Sequence, residues 1–129
     1  MNTIYIAAPW IYRAEAAAAA DYLTSQGFTI TSRWIRGHGN TNDPLKLQED
    51  ARHDLTDLCN SEALVLLNLG LSDGKATELG MAIMRNMRIV VVGSKNGNIF
   101  YHLLQVTNVN TLAEVPKALG PPVPAPIYL

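Results

Sequence analysis

The chain has 129 residues, 48% of them hydrophobic and 16% charged, the balance of one globular domain with one core. Ten Lys and Arg against eleven Asp and Glu leave a formal charge of −1, too weak a positive field for a nucleic acid polymer or an acidic membrane surface. No apolar run approaches the roughly 20 residues of a spanning helix, and residues 1–6 lack the basic segment of a secretory leader. The single cysteine, Cys59, can form no intrachain disulfide and reads as a small buried hydrophobe. A cytoplasmic protein is predicted, with neither a membrane nor a nucleic acid polymer as partner.

Thr3–Ala7 is a β-branched and aromatic run that stops before Pro9, and it predicts the first strand. Residues 13–26, rich in alanine and closed by Gly27, predict a helix lying close on a sheet. Residues 28–33 read as a second strand, and residues 34–42, with two glycines and two asparagines, as a loop. Asp43 and Pro44 are an N-cap and a first helical residue, and they open a helix to about residue 60. On it Leu47, Ala51, Leu55 and Leu58 form the expected buried row, while Asp50, Asp54 and Asp57 form an acidic second face.

Ala63–Leu67 and Arg88–Val92 are continuous apolar runs, the signature of strands covered on both faces of a parallel sheet. Between them lie a loop over 68–75 and a helix over 76–87. A short helix over 99–104 follows, then an edge strand Val106–Val109 and a last helix to Leu119, opened by a Thr111/Glu114 capping box. The order predicts one α/β domain over 1–119, with a doubly wound five-stranded parallel sheet and helices on both faces. The tail 120–129 holds four prolines. It is expected to run extended and to dock Ile127, Tyr128 and Leu129 beside the crevice, the alternative being a disordered tail.

Ligands of such sheets bind beyond the carboxyl ends of the strands, which directs attention to residues 8–13, 68–78 and 93–98. Glu78 falls in the first turn of the 76–87 helix, where the dipole favours a charged carboxylate; it is either an ordinary helix-start Glu or a nucleophile for an electrophilic sugar carbon. Tyr5 is either a core tyrosine or a phenol orienting that carboxylate, and Asp54 either a solvated helix residue or a proton donor to a base. Gly70 and Gly74-Lys75 mimic a phosphate-binding P-loop, but the glycine spacing is one residue short and Ala76 stands where the hydroxyl belongs. Ser72 and the backbone amides could still hold a monophosphate. No dinucleotide fingerprint follows the first strand, and His38, His53 and His102 have no ligand spacing, so neither cofactor nor metal is predicted.

Taken together, residues 4–10 (IYIAAPW), the Asp54 helix, and Ser72-Asp73-Gly74 followed by residues 77–82 (TELGMA) resemble the nucleoside 2-deoxyribosyltransferase family, over roughly residues 3–98. The resemblance implies a flavodoxin-like fold and exchange or hydrolysis of the N-glycosidic bond of deoxynucleosides or their monophosphates. The implied partners are a small nucleoside or nucleotide and further copies of the chain. Carried over by position, Glu78 is the nucleophile at C1′, Tyr5 orients it, and Asp73 and Asp54 contact and protonate the leaving base. Ala8, Pro9, Trp10, Ser72 and Gly74 complete the substrate site, and Asn98 serves the sugar 5′ end from a neighbouring subunit. Monophosphate hydrolases of the family carry a Ser-, Arg- and Gly-rich first loop. Here that loop is residues 9–13 (PWIYR), which favours a nucleoside. Beside transfer to a second base stand two alternatives: a 5′-monophosphate N-glycosidase and a non-catalytic nucleotide-binding module.

Overall fold

The computed structural model describes residues 3–37, 41–93 and 98–120. Its five strands are β1 (Thr3–Ala7), β2 (Thr29–Ile30), β3 (Ala63–Leu67), β4 (Arg88–Val92) and β5 (Val106–Val109), all parallel, in the order β2-β1-β3-β4-β5. This is the doubly wound α/β sheet predicted from the continuous apolar runs. Ile4 to Ala7, Leu64 to Leu66 and Ile89 to Val91 are almost inaccessible, because helices cover both faces of the central strands.

The helices are α1 (Arg13–Ser25), α2 (Trp34–Gly37), α3 (Pro44–Cys59), α4 (Asp73–Met84) and α5 (Val115–Ala118). On α1 the buried residues Ala16, Ala19, Ala20 and Leu23 follow helical spacing, so a seam of methyl groups lets the helix lie close on the sheet. Gly27, at φ 96°, closes it: the Gly27 N–H donates to the Thr24 carbonyl at 3.0 Å and the Phe28 N–H to the Leu23 carbonyl at 3.1 Å. Asp43 caps α3 by accepting from the Leu45 N–H at 3.1 Å, and Glu114 completes the Thr111 capping box.

Four expectations are corrected. The second strand, expected over 28–33, has two residues, because side chains take over its ladder. The Ile6 N–H donates to Ser32 Oγ at 3.0 Å, and Trp34 Nε1 donates to the Ile6 carbonyl at 2.8 Å. With its backbone satisfied in this way, the chain leaves β1 early and opens space at that strand's carboxyl end. Part of the expected loop 34–42 is the helical turn α2, on which Trp34 and Ile35 are buried.

The faces of α3 are also exchanged, except at Leu58, which is buried as expected. Asp50, Asp57 and Leu58 are buried, whereas Leu47 and Leu55 are 49% and 46% exposed and Ala51 is exposed as well. Each buried acid has a partner. Asp57 accepts from the Arg33 N–H at 3.0 Å and pairs with its guanidinium at 2.9 Å, and Asp50 pairs with Lys46 at 3.2 Å. Cys59 is exposed rather than buried, since it follows Leu58 off the inward face. The expectations for residues 121–129, for His38 and for residues 94–97 lie outside the described residues.

Candidate active site

Tyr5 is the central residue of β1 and fully buried. Pleating turns its ring toward α4, where its hydroxyl donates to Glu78 Oε2. Glu78 does not stand in the first turn of its helix. Ser72 is the N-cap, its Oγ accepting from the Lys75 N–H at 3.2 Å, so the helix begins at Asp73 and Glu78 falls in the second turn. That position gives the carboxylate little help from the dipole and carries it inward over β1.

Around this pair lies a cavity of about 200 Å³ lined by Ala8, Trp10, Trp34, Asp54, Ser72, Gly74, Lys75 and Glu78. It sits where β1 and β3 end, and β1's neighbours in the sheet are β2, reached by α1, and β3, followed by α4. This is the switch in strand order at which doubly wound sheets bind ligands. One side is aromatic: Trp34 is anchored by its bond to Ile6, and Trp10 carries the Arg13 guanidinium 4.0 Å above its ring. The other side is α4, and Asp54 projects from the inward face of α3. A larger groove of about 380 Å³ on α4, lined by Ala76, Leu79, Gly80, Ile83, Met84, Asn98 and Phe100, holds no acid or base.

The electrostatics correct the expectation that Glu78 is charged at neutral pH. Burial pushes its carboxyl from 4.5 to about 8; the Tyr5 hydroxyl opposes the rise and the Asp54 charge adds to it. Asp54 is raised from 3.8 to about 7 by burial, then by the charges of Asp57 and Asp50, against the pull of Arg33. Tyr5 is driven far above its ordinary range by burial and by Glu78 and Asp54, so it remains a donor at every working pH. The cleft therefore holds two carboxyls that exchange protons near neutrality, one of them fixed by a phenol. Such a pair can supply a nucleophilic carboxylate and an acid together.

Of the residues expected at the site, Glu78, Tyr5, Asp54, Ala8, Trp10, Ser72 and Gly74 come together here. Pro9 is buried one residue outside the lining, where its carbonyl accepts from the Tyr12 N–H. Asp73 and Asn98 are not brought in: Asp73 is the exposed first residue of α4, and Asn98 lines the other groove. Trp34 and Lys75 are the additions. A tryptophan placed just after a strand among glycines and asparagines was the available signal for the first, and the lysine three residues after the Ser72 cap for the second. Among the described residues no group of three or more His, Cys, Asp or Glu is placed to hold a metal, and no helix is long and apolar enough to cross a membrane.

No protein-family model matches the sequence, and no curated protein matches it. Among solved structures, a 2-deoxyribosyltransferase from the psychrotolerant bacterium Bacillus psychrosaccharolyticus is similar at 15% identity. The match covers 88% of this chain and 89% of that one, with a TM-score of 0.67. A conserved protein from Enterococcus faecalis V583 is similar at 15% identity over 92% of this chain and 96% of that one, with a TM-score of 0.66. At this identity the likeness shows a shared fold.

Proposed function

We propose that the cleft breaks the N-glycosidic bond of a 2-deoxynucleoside by double displacement through Glu78. The observation that carries this reading is the Tyr5 hydroxyl bonded to Glu78 in the wall of a cavity that also holds Asp54. A binding module has no use for a buried carboxyl that costs stability to ionise, whereas a nucleophile at C1′ requires one. The likeness in fold to a 2-deoxyribosyltransferase supports the same substrate class.

In the first half-reaction the Glu78 carboxylate attacks C1′, the C1′–N bond breaks with its electron pair leaving on the base, and the Asp54 proton passes to that base. Tyr5 holds the carboxylate by one oxygen and leaves the other to react. In the second half a ring nitrogen of a new base, or a water, attacks C1′ and displaces Glu78, and its proton returns to Asp54. A second base as acceptor gives transfer, and water gives hydrolysis. The indoles of Trp10 and Trp34 offer faces on which a planar base can stack. The working protonation state has Glu78 ionised and Asp54 protonated, the reverse of their order of acidity. It is therefore a minority form, populated chiefly between the two transitions.

The test is product analysis. Incubation of a deoxynucleoside with a foreign base should yield the exchanged nucleoside, or free sugar and base in its absence, and Glu78→Gln should abolish both. Turnover of the wild-type substrate by Glu78→Gln would refute the assignment.

A further inference from the structure

The buried face of α4 begins with a lysine. Lys75, Leu79, Ala82 and Ile83 are its buried residues, at the i, i+4, i+7, i+8 spacing of a helix packed on a sheet, and Lys75 is only 4% exposed. Burial pulls its pKa below the ordinary lysine value, and it takes part in none of the ion pairs among the described residues. A methionine would fill the same space without the cost of a buried cation. What the lysine adds is direction. Apolar contacts leave a helix free to slide and roll on a sheet, whereas hydrogen bonds set its angle.

The ammonium donates to Asn68 Oδ1 at 3.1 Å and to the Gly70 carbonyl at 2.5 Å. Asn68, the residue that follows β3, is itself fixed to the sheet. Its N–H donates to the Val92 carbonyl at 2.8 Å, which continues the β3–β4 ladder, and its Oδ1 also accepts from the Tyr101 hydroxyl at 3.3 Å. Across from it stands Gly93 at φ 119°, where a Cβ would come within 3.3 Å of the Asn68 carbonyl, so the two chains approach closely there. Lys75 therefore ties the first turn of α4 to the carboxyl end of β3. One turn further on, Glu78 is bonded to Tyr5 of β1, the strand beside β3. A helix held by one such bond can pivot about it. Held by two, a turn apart and on adjacent strands, it resists rolling.

We infer that Lys75 is a positioning residue: bound to Asn68 and Gly70, it sets the roll of α4 and with it the angle at which Glu78 meets Tyr5. A nucleophilic carboxylate is productive only within about 0.5 Å and 10–20° of its attack geometry, so a small roll of the helix is enough to lower turnover. The effect of Lys75 on rate rests on the proposed role of Glu78 as nucleophile; its coupling to the Tyr5–Glu78 bond does not.

Kinetics of deoxynucleoside cleavage, measured well below the Tm of each variant, test the effect on rate. Lys75→Met keeps the length and removes the donors, Lys75→Gln keeps donors without the charge, and Asn68→Leu removes one acceptor. Lys75→Met should lower kcat about tenfold or more with KM within about twofold of wild type, and Lys75→Gln should recover part of the loss. Asn68→Leu should also lower kcat, and should add little to Lys75→Met in the double variant, because both break one clasp. A Lys75→Met kcat within about twofold of wild type, a Lys75→Gln no better than Lys75→Met, or losses that multiply in the double variant overturns the inference. If Lys75→Met does not fold, Lys75→Gln and Asn68→Leu, singly and together, decide by the same criteria.

A readout without turnover is the denaturant midpoint in a cycle with Tyr5→Phe, which breaks the bond to Glu78. In Lys75→Met, or in Lys75→Gln if the first does not fold, that bond is already loosened. Tyr5→Phe should therefore shift the midpoint there by no more than about half as much as it does in wild type. Equal shifts overturn the inference even where cleavage is impaired. A halved shift in a protein that cleaves no deoxynucleoside would keep the clasp and remove the proposed function. Cleavage through Glu78 with kcat unchanged in Lys75→Met would do the reverse.

Discussion

Replacing Glu78 by Gln should make the protein inactive and, at alkaline pH, more stable. Gln keeps the volume and an oxygen that can accept from Tyr5, so the change is confined to one ionisable group. In the folded cleft that group titrates at about 8 instead of 4.5. A displacement of this size corresponds to as much as about 5 kcal/mol of preference for the neutral form. The value of about 8 already includes the opposing Tyr5 hydrogen bond, and water entering the open cavity returns part of the remainder, leaving roughly 2–4 kcal/mol to be observed. The folded value lies above the unfolded one, so the folded state holds the proton more tightly. The cost of ionisation is therefore absent below about pH 4.5, grows as pH rises, and is complete above about pH 8. A chain of this length gains about 4 °C in Tm per kcal/mol. Thermal unfolding of both proteins at pH 5 and pH 9 should show Glu78→Gln melting roughly 8–15 °C above wild type at pH 9, with most of the gain gone at pH 5. A difference in Tm that stays constant between the two pH values would refute the burial argument, whatever happened to turnover.

The pH dependence of kcat/KM should be bell-shaped and centred between about 7 and 8, falling on the acid side as Glu78 takes up its proton and on the alkaline side as Asp54 loses its own; a plateau down to pH 5, as an unperturbed carboxylate would give, contradicts it. Trp34→Phe removes the donor to the Ile6 carbonyl and should cost about 1–3 kcal/mol in denaturant titration, with KM raised as the cleft wall loosens. Asp57→Ala strips Arg33 of its buried partner and should destabilise by a similar 1–3 kcal/mol or so; it also removes a charge that raises Asp54, so the optimum of kcat/KM should move to lower pH, and an unmoved optimum would contradict that coupling. The exposed row Leu47, Ala51 and Leu55 on α3 is expected to lie between copies of the chain. Light scattering should give a mass at least twice 14.1 kDa, reduced to one chain by Leu55→Glu, and a monomeric wild type would refute this.

The sheet was legible because its central strands are covered on both faces and so are written as unbroken apolar runs, as in Ala63–Leu67 and Arg88–Val92. Helix ends were legible wherever a cap is local, as at Asp43 and Thr111. The cap at Ser72 was equally local, but the glycine after Asp73 drew the helix start to residue 76. From that one misplacement followed both the first-turn position of Glu78 and its expected charge. Hydrophobic periodicity misassigned the faces of α3 because it assumes that apolar residues go inside. Here Arg33 and Lys46 allow acids to do so, and those partners come from elsewhere in the chain or from a face that the apolar pattern does not weigh. Trp34 and Lys75 escaped for a similar reason. Each is placed by a tertiary contact, to Ile6 and to Asn68 and Gly70, that no periodicity encodes.

The central claim is a covalent bond between Glu78 and a sugar carbon. A deoxynucleoside fluorinated at C2′ slows formation and breakdown of such an ester by destabilising the positive charge that develops at C1′. Intact-protein mass spectrometry after incubation with this compound should show the chain carrying one fluorodeoxyribosyl group. Peptide mapping should place it on Glu78, and a second base should remove it. A chain that cleaves deoxynucleosides while never accumulating the adduct, or that carries it on a residue other than Glu78, would contradict the account.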